Sequence, residues 1–165
     1  MQIRKASAQD AHLCWDIRNR AILAGCADCY DEADLVVWTQ GELTESFTQV
    51  VAQFMYVAVI DGRVVGTAML DEANAQVEAL FVEPQVMGQG VGKRLLHFIE
   101  RKANLLGLAE LRLESTLNAA AFYRAHGFGG AGREEDSVYL SPRGIALDCV
   151  VMYKTLSSDV MPAAF

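Results

Sequence analysis

VEPQVMGQGVGKRLL, residues 82–96, joins the end of a short apolar run to an amphipathic helix through a loop with glycines at 88, 90 and 92. The run Ala79, Leu80, Phe81 and Val82 stops at Glu83-Pro84. Beyond the loop, Leu95, Leu96, Phe98, Ile99, Ala103 and Leu106 recur at helical spacing. Glycines on alternate positions leave the backbone bare, so successive N–H groups can turn toward one anion. The helix start adds its own unpaired N–H groups and the positive end of its dipole. Strand, glycine loop and helix N-terminus together predict a phosphate cradle.

The spacing excludes two familiar cradles. A P-loop ends Gly-Lys-Ser/Thr, whereas Gly92-Lys93 is followed by Arg94 and the position five before Gly92 is Met87. The dinucleotide pattern G-x-G-x-x-G also fails, because Lys93 and Leu95 stand where its third glycine belongs. What remains resembles the pyrophosphate loop of the GCN5-related N-acetyltransferases, Arg/Gln-x-x-Gly-x-Gly/Ala after a strand ending Val-x-Pro. Registered on the helix start, the loop here is Met87-Gly88-Gln89-Gly90-Val91-Gly92. Met87 stands where the family has Arg or Gln, which removes a side-chain contact and leaves the backbone cradle.

A second segment carries the resemblance further. NAAAFYRAHGF, residues 118–128, places Asn118 before a short helix containing Tyr123, with Gly127 where a helix end favours a left-handed residue. The resemblance implies that Asn118 contacts coenzyme A near its pantetheine arm and that Tyr123 is the acid for the departing thiolate. From the residues alone, Asn118 reads equally as an N-cap and Tyr123 as a ring packed beside Phe122. The resemblance covers roughly residues 1–155 and implies one N-acetyltransferase domain over 1–165, with a short C-terminal tail.

The order of elements predicts an α+β class with a mixed, mostly antiparallel central sheet flanked by helices. Strands are expected at 1–5, 54–60, 64–70, 76–82, 108–114, 137–140 and 145–153, with Asp61-Gly62 as a tight hairpin turn. Helices are expected from Ser7 to about Ala24, at 32–40, at 42–53, from the glycine loop to about Leu106, and after Asn118. The resemblance adds that the strands before and after the glycine-loop helix run parallel and splay. Pantetheine would enter that gap and pair with the backbone of Leu80, Phe81 and Val82. The implied cofactor-binding set is these three residues, Met87, Gly88, Gln89, Gly90, Val91, Gly92, Lys93, Asn118 and Tyr123, with acetyl-CoA as cosubstrate and no metal.

Chemistry sets a further requirement. A lysine-like amine is neutral in only about one molecule in 2,500 at pH 7, so acyl transfer gains from a general base. Glu78, on the strand before the glycine loop, is the candidate base, and it reads also as an exposed strand residue. Asp71 and Glu72 are weaker candidates. Backbone N–H groups near Phe81 and Val82 are the expected oxyanion donors. The acceptor pocket is expected from residues 25–40, with Tyr30, Asp31, Glu32, Asp34 and Trp38. Residues 129–144 would supply the rest, with Arg133, Glu134, Glu135, Asp136, Tyr139 and Arg143. Carboxylates beside aromatics would suit an amine, the arginines an acceptor carboxylate, and both segments read also as solvated surface.

Bulk properties bound the partners. At 165 residues and 52% hydrophobic, the chain suits one domain with a good core. A net charge of −7 without a Lys/Arg run argues against nucleic acid and gives weak steering for a cationic amine. No apolar stretch reaches 18 residues and the N-terminus lacks a signal segment, so no membrane is expected and the place is cytoplasmic. Cys26 and Cys29 form a lone C-x-x-C without a second pair or nearby histidines, which falls short of a zinc site; Cys14 and Cys149 read as core. The expected partner is a small-molecule amine, amino acid or peptide acceptor. A homodimer through the apolar final strand is a further expectation. The rival functions are a non-catalytic acyl-CoA-binding regulatory module and an interaction protein.

Overall fold

The computed structural model describes residues 1–157; the expected C-terminal tail lies, from residue 158 on, outside the described residues. In chain order the elements are β1 (Gln2–Lys5), α1 (Ala11–Gly25), α2 (Glu32–Thr39), α3 (Glu45–Phe54), β2 (Met55–Ile60), β3 (Arg63–Asp71), β4 (Gln76–Val82), α4 (Val91–Leu105), β5 (Glu110–Thr116), α5 (Ala120–Ala125), β6 (Glu134–Leu140) and β7 (Ala146–Thr155). Seven strands form one sheet in the order β1-β2-β3-β4-β5-β7-β6. Every pairing is antiparallel except β4 with β5, whose connection is α4. This is the expected α+β architecture, and a parallel pair needs such a crossover helix.

The β2–β3 hairpin turns at Asp61 (φ 49°) and Gly62 (φ 76°). Two consecutive left-handed residues make the primed turn whose twist matches antiparallel strands. On one sheet face, α4 buries Val91, Leu95, Leu96, Ile99 and Ala103 against Ala68, Val82, Leu111 and Met152. The expected Leu106 instead follows the helix and is 47% exposed. On the other face α1 and α3 pack Cys14 and Val51 against Met55 and Val57. Ile22, Cys26 and Leu35 gather beside Phe81.

Several boundaries differ from expectation, among them α3, which starts at Glu45, and β5, which runs Glu110–Thr116; two of the differences have clear local reasons. Ser7–Asp10 is not the first α-turn: Ala8–Asp10 is a 3-10 turn with α1 after it. Asp10 accepts from the Ser7 amide at 2.8 Å and the Ser7 hydroxyl at 3.0 Å, and Arg4 forks onto both its oxygens at 2.8 Å. The Arg4 guanidinium, with the Ser7 donors, holds the Asp10 carboxyl well below the usual carboxylate range. A depressed folded value stabilises the protein above the unfolded pKa of about 3.9 and ceases to as pH falls below it. Asp10→Asn should therefore cost about 1–3 kcal/mol by urea unfolding at pH 6, with the deficit shrinking from pH 4 downward. The other difference is β6, which begins at Glu134 because the charged run Glu134–Asp136 lies on the sheet edge, where both faces stay wet.

The structure also corrects the expected dimer route. β7 pairs with β5 on one side and β6 on the other, so it has no free edge to extend. The free edge on that side is β6, where Val138 is 52% and Leu140 75% exposed.

Candidate active site

β4 and β5 pair only at Gln76↔Arg112 and Val77↔Leu113, then part. Beyond Val77 the backbone of β4 is paired on the β3 side alone, as far as Val82. The Glu83 amide donates to the Val65 carbonyl at 2.8 Å, so by alternation Phe81 and Ala79 also point their backbone groups at β3. The Phe81 carbonyl oxygen would sit 3.1 Å from a Cβ on Gly66, which agrees. Leu80 and Val82 accordingly aim their N–H and C=O groups into the gap. This corrects one expected role: the backbone of Phe81 is spent on the sheet, and Phe81 offers its ring to the cleft wall.

The β3–β4 register slips between Met69↔Ala79 and Leu70↔Val77, which leaves Glu78 as the extra residue of a bulge. Strict alternation from Val82 and Leu80 would send residue 78 to the α4 face. The bulge hands that place to buried Val77 and lets Glu78 line the cleft. Glu78 makes no salt bridge among the described residues. Glu78 is an exposed strand residue, as the sequence allowed, yet partial desolvation at the cleft pushes its carboxyl up, helped by the Asp71 and Glu114 carboxylates and opposed by Arg112. Asp71 is excluded as a base, since it accepts from Ala73 and Asn74 in a turn that lowers its pKa. Neither Asp71 nor Glu72 lines the cleft.

At the other end of the gap lies the glycine loop. Pro84–Val86 form a 3-10 turn, and Gly88 (φ 78°) and Gly90 (φ 82°) are left-handed, a conformation that side chains oppose. Among the described residues the N–H groups of Gly88, Gly90, Val91, Gly92 and Lys93 have no backbone acceptor, while Arg94 N–H already closes on Gly90. Five free donors at a helix start fit a pyrophosphate. Gly90 also caps α4, and no side-chain acid competes in the first turn. Met87 is 43% exposed at the cleft rim. The Arg20 guanidinium grips Glu83 at 2.7 Å and ties α1 to the loop base.

Asn118 is not the cap of α5, which Ala119 occupies. Its Oδ1 accepts from the Cys26 thiol at 3.2 Å, so Nδ2 is left to donate into the cleft. Tyr123 is 8% exposed, wedged between Phe122 and Phe128. Its hydroxyl has no hydrogen-bond partner among the described residues, yet no sealed orphan polar atom exists there, so it opens on the cleft. Burial pushes the phenol well above its usual pKa.

These groups line one cleft of about 730 Å³. Of the expected acceptor segments, Tyr30, Trp38 and Tyr139 reach it, the Trp38 and Tyr139 rings 6.2 Å apart. Tyr30 donates to the Asp148 carbonyl at 2.6 Å and accepts from the Leu117 amide at 2.9 Å, pinning the α1–α2 connector across the splay. Asp31 and Asp34 sit outside, around a shallow surface hollow. Arg133 and Glu134 are structural, pairing with Glu110 and Arg124. Three features escaped the sequence reading: the bulge at Glu78, the Cys26–Asn118 contact, and Arg18. A charge at 18, on a face with Cys14, Ile17, Ala21 and Ile22, was the readable signal for the last. Among the described residues no cluster of His, Cys, Asp and Glu could hold a metal, and no helix is long and apolar enough to cross a membrane.

The model of the acetyltransferase (GNAT) domain matches residues 26–138. The chain is similar to the IAA acetyltransferase of Azospirillum brasilense, 36% identical over 83 residues that cover 46% of this chain and 54% of the relative. It spans about half the length of the curated relatives it matches. Among solved structures, a GCN5-related N-acetyltransferase from Rhodopseudomonas palustris superposes with a TM-score of 0.85 at 24% identity, over 94% of this chain and 95% of that one. The PaiA N-acetyltransferase of Thermoplasma acidophilum, solved with coenzyme A, gives 0.73 at 20% identity over 93% and 98%. At these identities the two structures speak for the fold.

Proposed function

The chain belongs to the GNAT acetyltransferase family, and from that premise we propose that it moves the acetyl group of acetyl-CoA to a primary amine by direct attack. The observation that carries this reading is continuous. A five-donor cradle opens on a gap lined by the free backbone of Leu80 and Val82, and Glu78 and Tyr123 line the same cleft. The cradle takes the pyrophosphate, and the extended pantetheine adds to β4 as a strand would. Asn118 Nδ2 donates to it.

The amine nitrogen attacks the thioester carbon, and the C=O electrons move onto oxygen, giving a tetrahedral intermediate. Val82 or Leu80 N–H receives that oxyanion. As the C–N bond forms, the nitrogen becomes a strong acid and Glu78, directly or through water, takes its proton. The oxyanion then collapses and the C–S bond breaks. Tyr123 meets the leaving sulfur. A phenol near 10 is already about 1.5 pH units too weak to hand a proton fully to a thiolate whose acid is near 8.5, and burial widens the gap. Tyr123 therefore serves best as a hydrogen-bond donor to the sulfur. Tyr123→Phe should lower kcat about 10- to 150-fold, with KM for acetyl-CoA near wild type, the worth of one hydrogen bond to a charged group. Unchanged kcat would remove Tyr123 from the mechanism.

The test of the reading is thiol release from acetyl-CoA across a panel of amines, amino acids and peptides. Release that rises with one acceptor class supports the transferase. Coenzyme binding without release for any acceptor points to a regulatory module.

A further inference from the structure

Resting on that transferase reading, we infer that the acceptor is an amine that carries a carboxylate, received by Arg18 on the cleft wall beside Trp38, with Arg143 adding positive charge. Arg18 lines the cleft from α1, its guanidinium carbon 5.2 Å from the Trp15 ring and 5.7 Å from the Trp38 ring. Its only short hydrogen bond goes to Asn19 Oδ1 at 2.6 Å; both contacts to the Trp38 carbonyl are long, at 3.4 Å. No carboxylate lies within salt-bridge distance of Arg18 or Arg143 among the described residues, although six other basic side chains are so paired. The Arg143 guanidinium is seated against Gly41, where a Cβ would collide with it.

Arginines normally enter apolar surroundings with a partner, because an unpaired guanidinium loses its hydration. Here the charged neighbour of Arg18 is a second cation: burial pushes its pKa down and Arg143 adds to the fall, with only Tyr139 opposing. Arg18, on the cleft wall and without an acid, presents a planar fork that suits a carboxylate, and Arg143, outside the cleft lining, adds its positive charge. Glu78 and Glu114 line the same cleft from the two splayed strands, and the Tyr139 phenol feels both carboxylates and Arg18. Glu114 is already held by Arg112 at 2.7 Å, which leaves Glu78 for the amine. An anion seat and a base in one cleft, with Trp38 and Tyr139 as walls, suit an amino acid or a short peptide better than a plain polyamine.

A carboxylate could come from the acceptor or from a longer acyl group, so the assay separates them. Amino acids are compared with their own amides as acceptors for acetyl-CoA, and succinyl-CoA is offered with the amides. Amidation lowers the amine pKa and by itself favours the amide. A kcat/KM preference of about tenfold or more for the acid, falling toward one in Arg18→Gln and Arg143→Gln, is the expected result. Arg18→Lys should retain part of the preference, and coenzyme titration checks that each variant is folded. Equal use of acid and amide overturns the carboxylate seat while leaving the transferase intact. Turnover of amides with succinyl-CoA but not acetyl-CoA also overturns it, by assigning the seat to the acyl group. Should no amine release thiol, the transferase reading falls; calorimetry of acid against amide on the coenzyme-loaded protein then decides the seat, which equal affinities overturn.

Discussion

Gly90→Glu is expected to abolish acetyl-CoA binding in a protein that still folds. Gly90 caps α4 with φ 82° and faces open space, so a side chain fits but must adopt a left-handed backbone. That strain costs about 1–2 kcal/mol, and a carboxylate at a helix start returns about 0.3–1 kcal/mol. The fold should survive. Binding should not, because the new carboxylate reaches the same free N–H groups that the pyrophosphate needs and repels its charge. Donors to charged groups are worth about 1.5–3 kcal/mol each, so losing two or three costs at least about a hundredfold in affinity. Gly90→Ala separates strain from charge and should weaken binding by only several-fold. Gly92→Ala is milder still, since its Cβ would meet Phe122 and Val82 at ordinary distances of 3.5 and 3.6 Å. Calorimetry that returns wild-type affinity for Gly90→Glu would move the pyrophosphate out of this cradle.

Much of this site was legible because its parts are local. A glycine's need for positive φ, a helix start and a run of apolar residues each leave a mark within a few positions, and residues 82–96 hold all three. The cradle thus follows from the chain order alone. The primed turn at Asp61-Gly62 was legible for the same reason. What stayed hidden depends on registers between strands distant in sequence. Nothing around Glu78 announces a bulge, because the bulge is the mismatch of β4 against β3 rather than a property of either. Phe81 and Val82 look alike as backbone, and only the pairing of Glu83 with Val65 decides which of them faces the gap. The Cys26–Asn118 contact joins residues 92 apart, beyond any spacing rule. β7 reads as an edge or a core strand with equal right until β6 is seen to cover it. Arg133 and Arg143 looked equivalent as carboxylate binders; Glu110 claims the first and leaves the second beside Arg18.

Glu78→Gln should lower kcat/KM about 100- to 1,000-fold near neutral pH, a typical contribution for a positioned general base. The direction of its pKa decides the shape of the profile. Partial desolvation and the neighbouring carboxylates raise Glu78 above the usual glutamate value, so in wild type the acid limb of the profile should lie above about pH 4.3. Activity should rise as Glu78 loses its proton and rise again as the amine does. In Glu78→Gln the first limb disappears and the second remains. The deficit should shrink only at alkaline pH, where hydroxide can take the attacking nitrogen's proton in place of Glu78. Substitution at Glu114, which Arg112 already holds, should keep the acid limb but move it toward lower pH, because that carboxylate helps raise Glu78, and so tells the two carboxylates apart. A Glu78→Gln enzyme with the wild-type profile and rate would assign proton removal to solvent. The bulge would then serve to open the gap rather than to present a base.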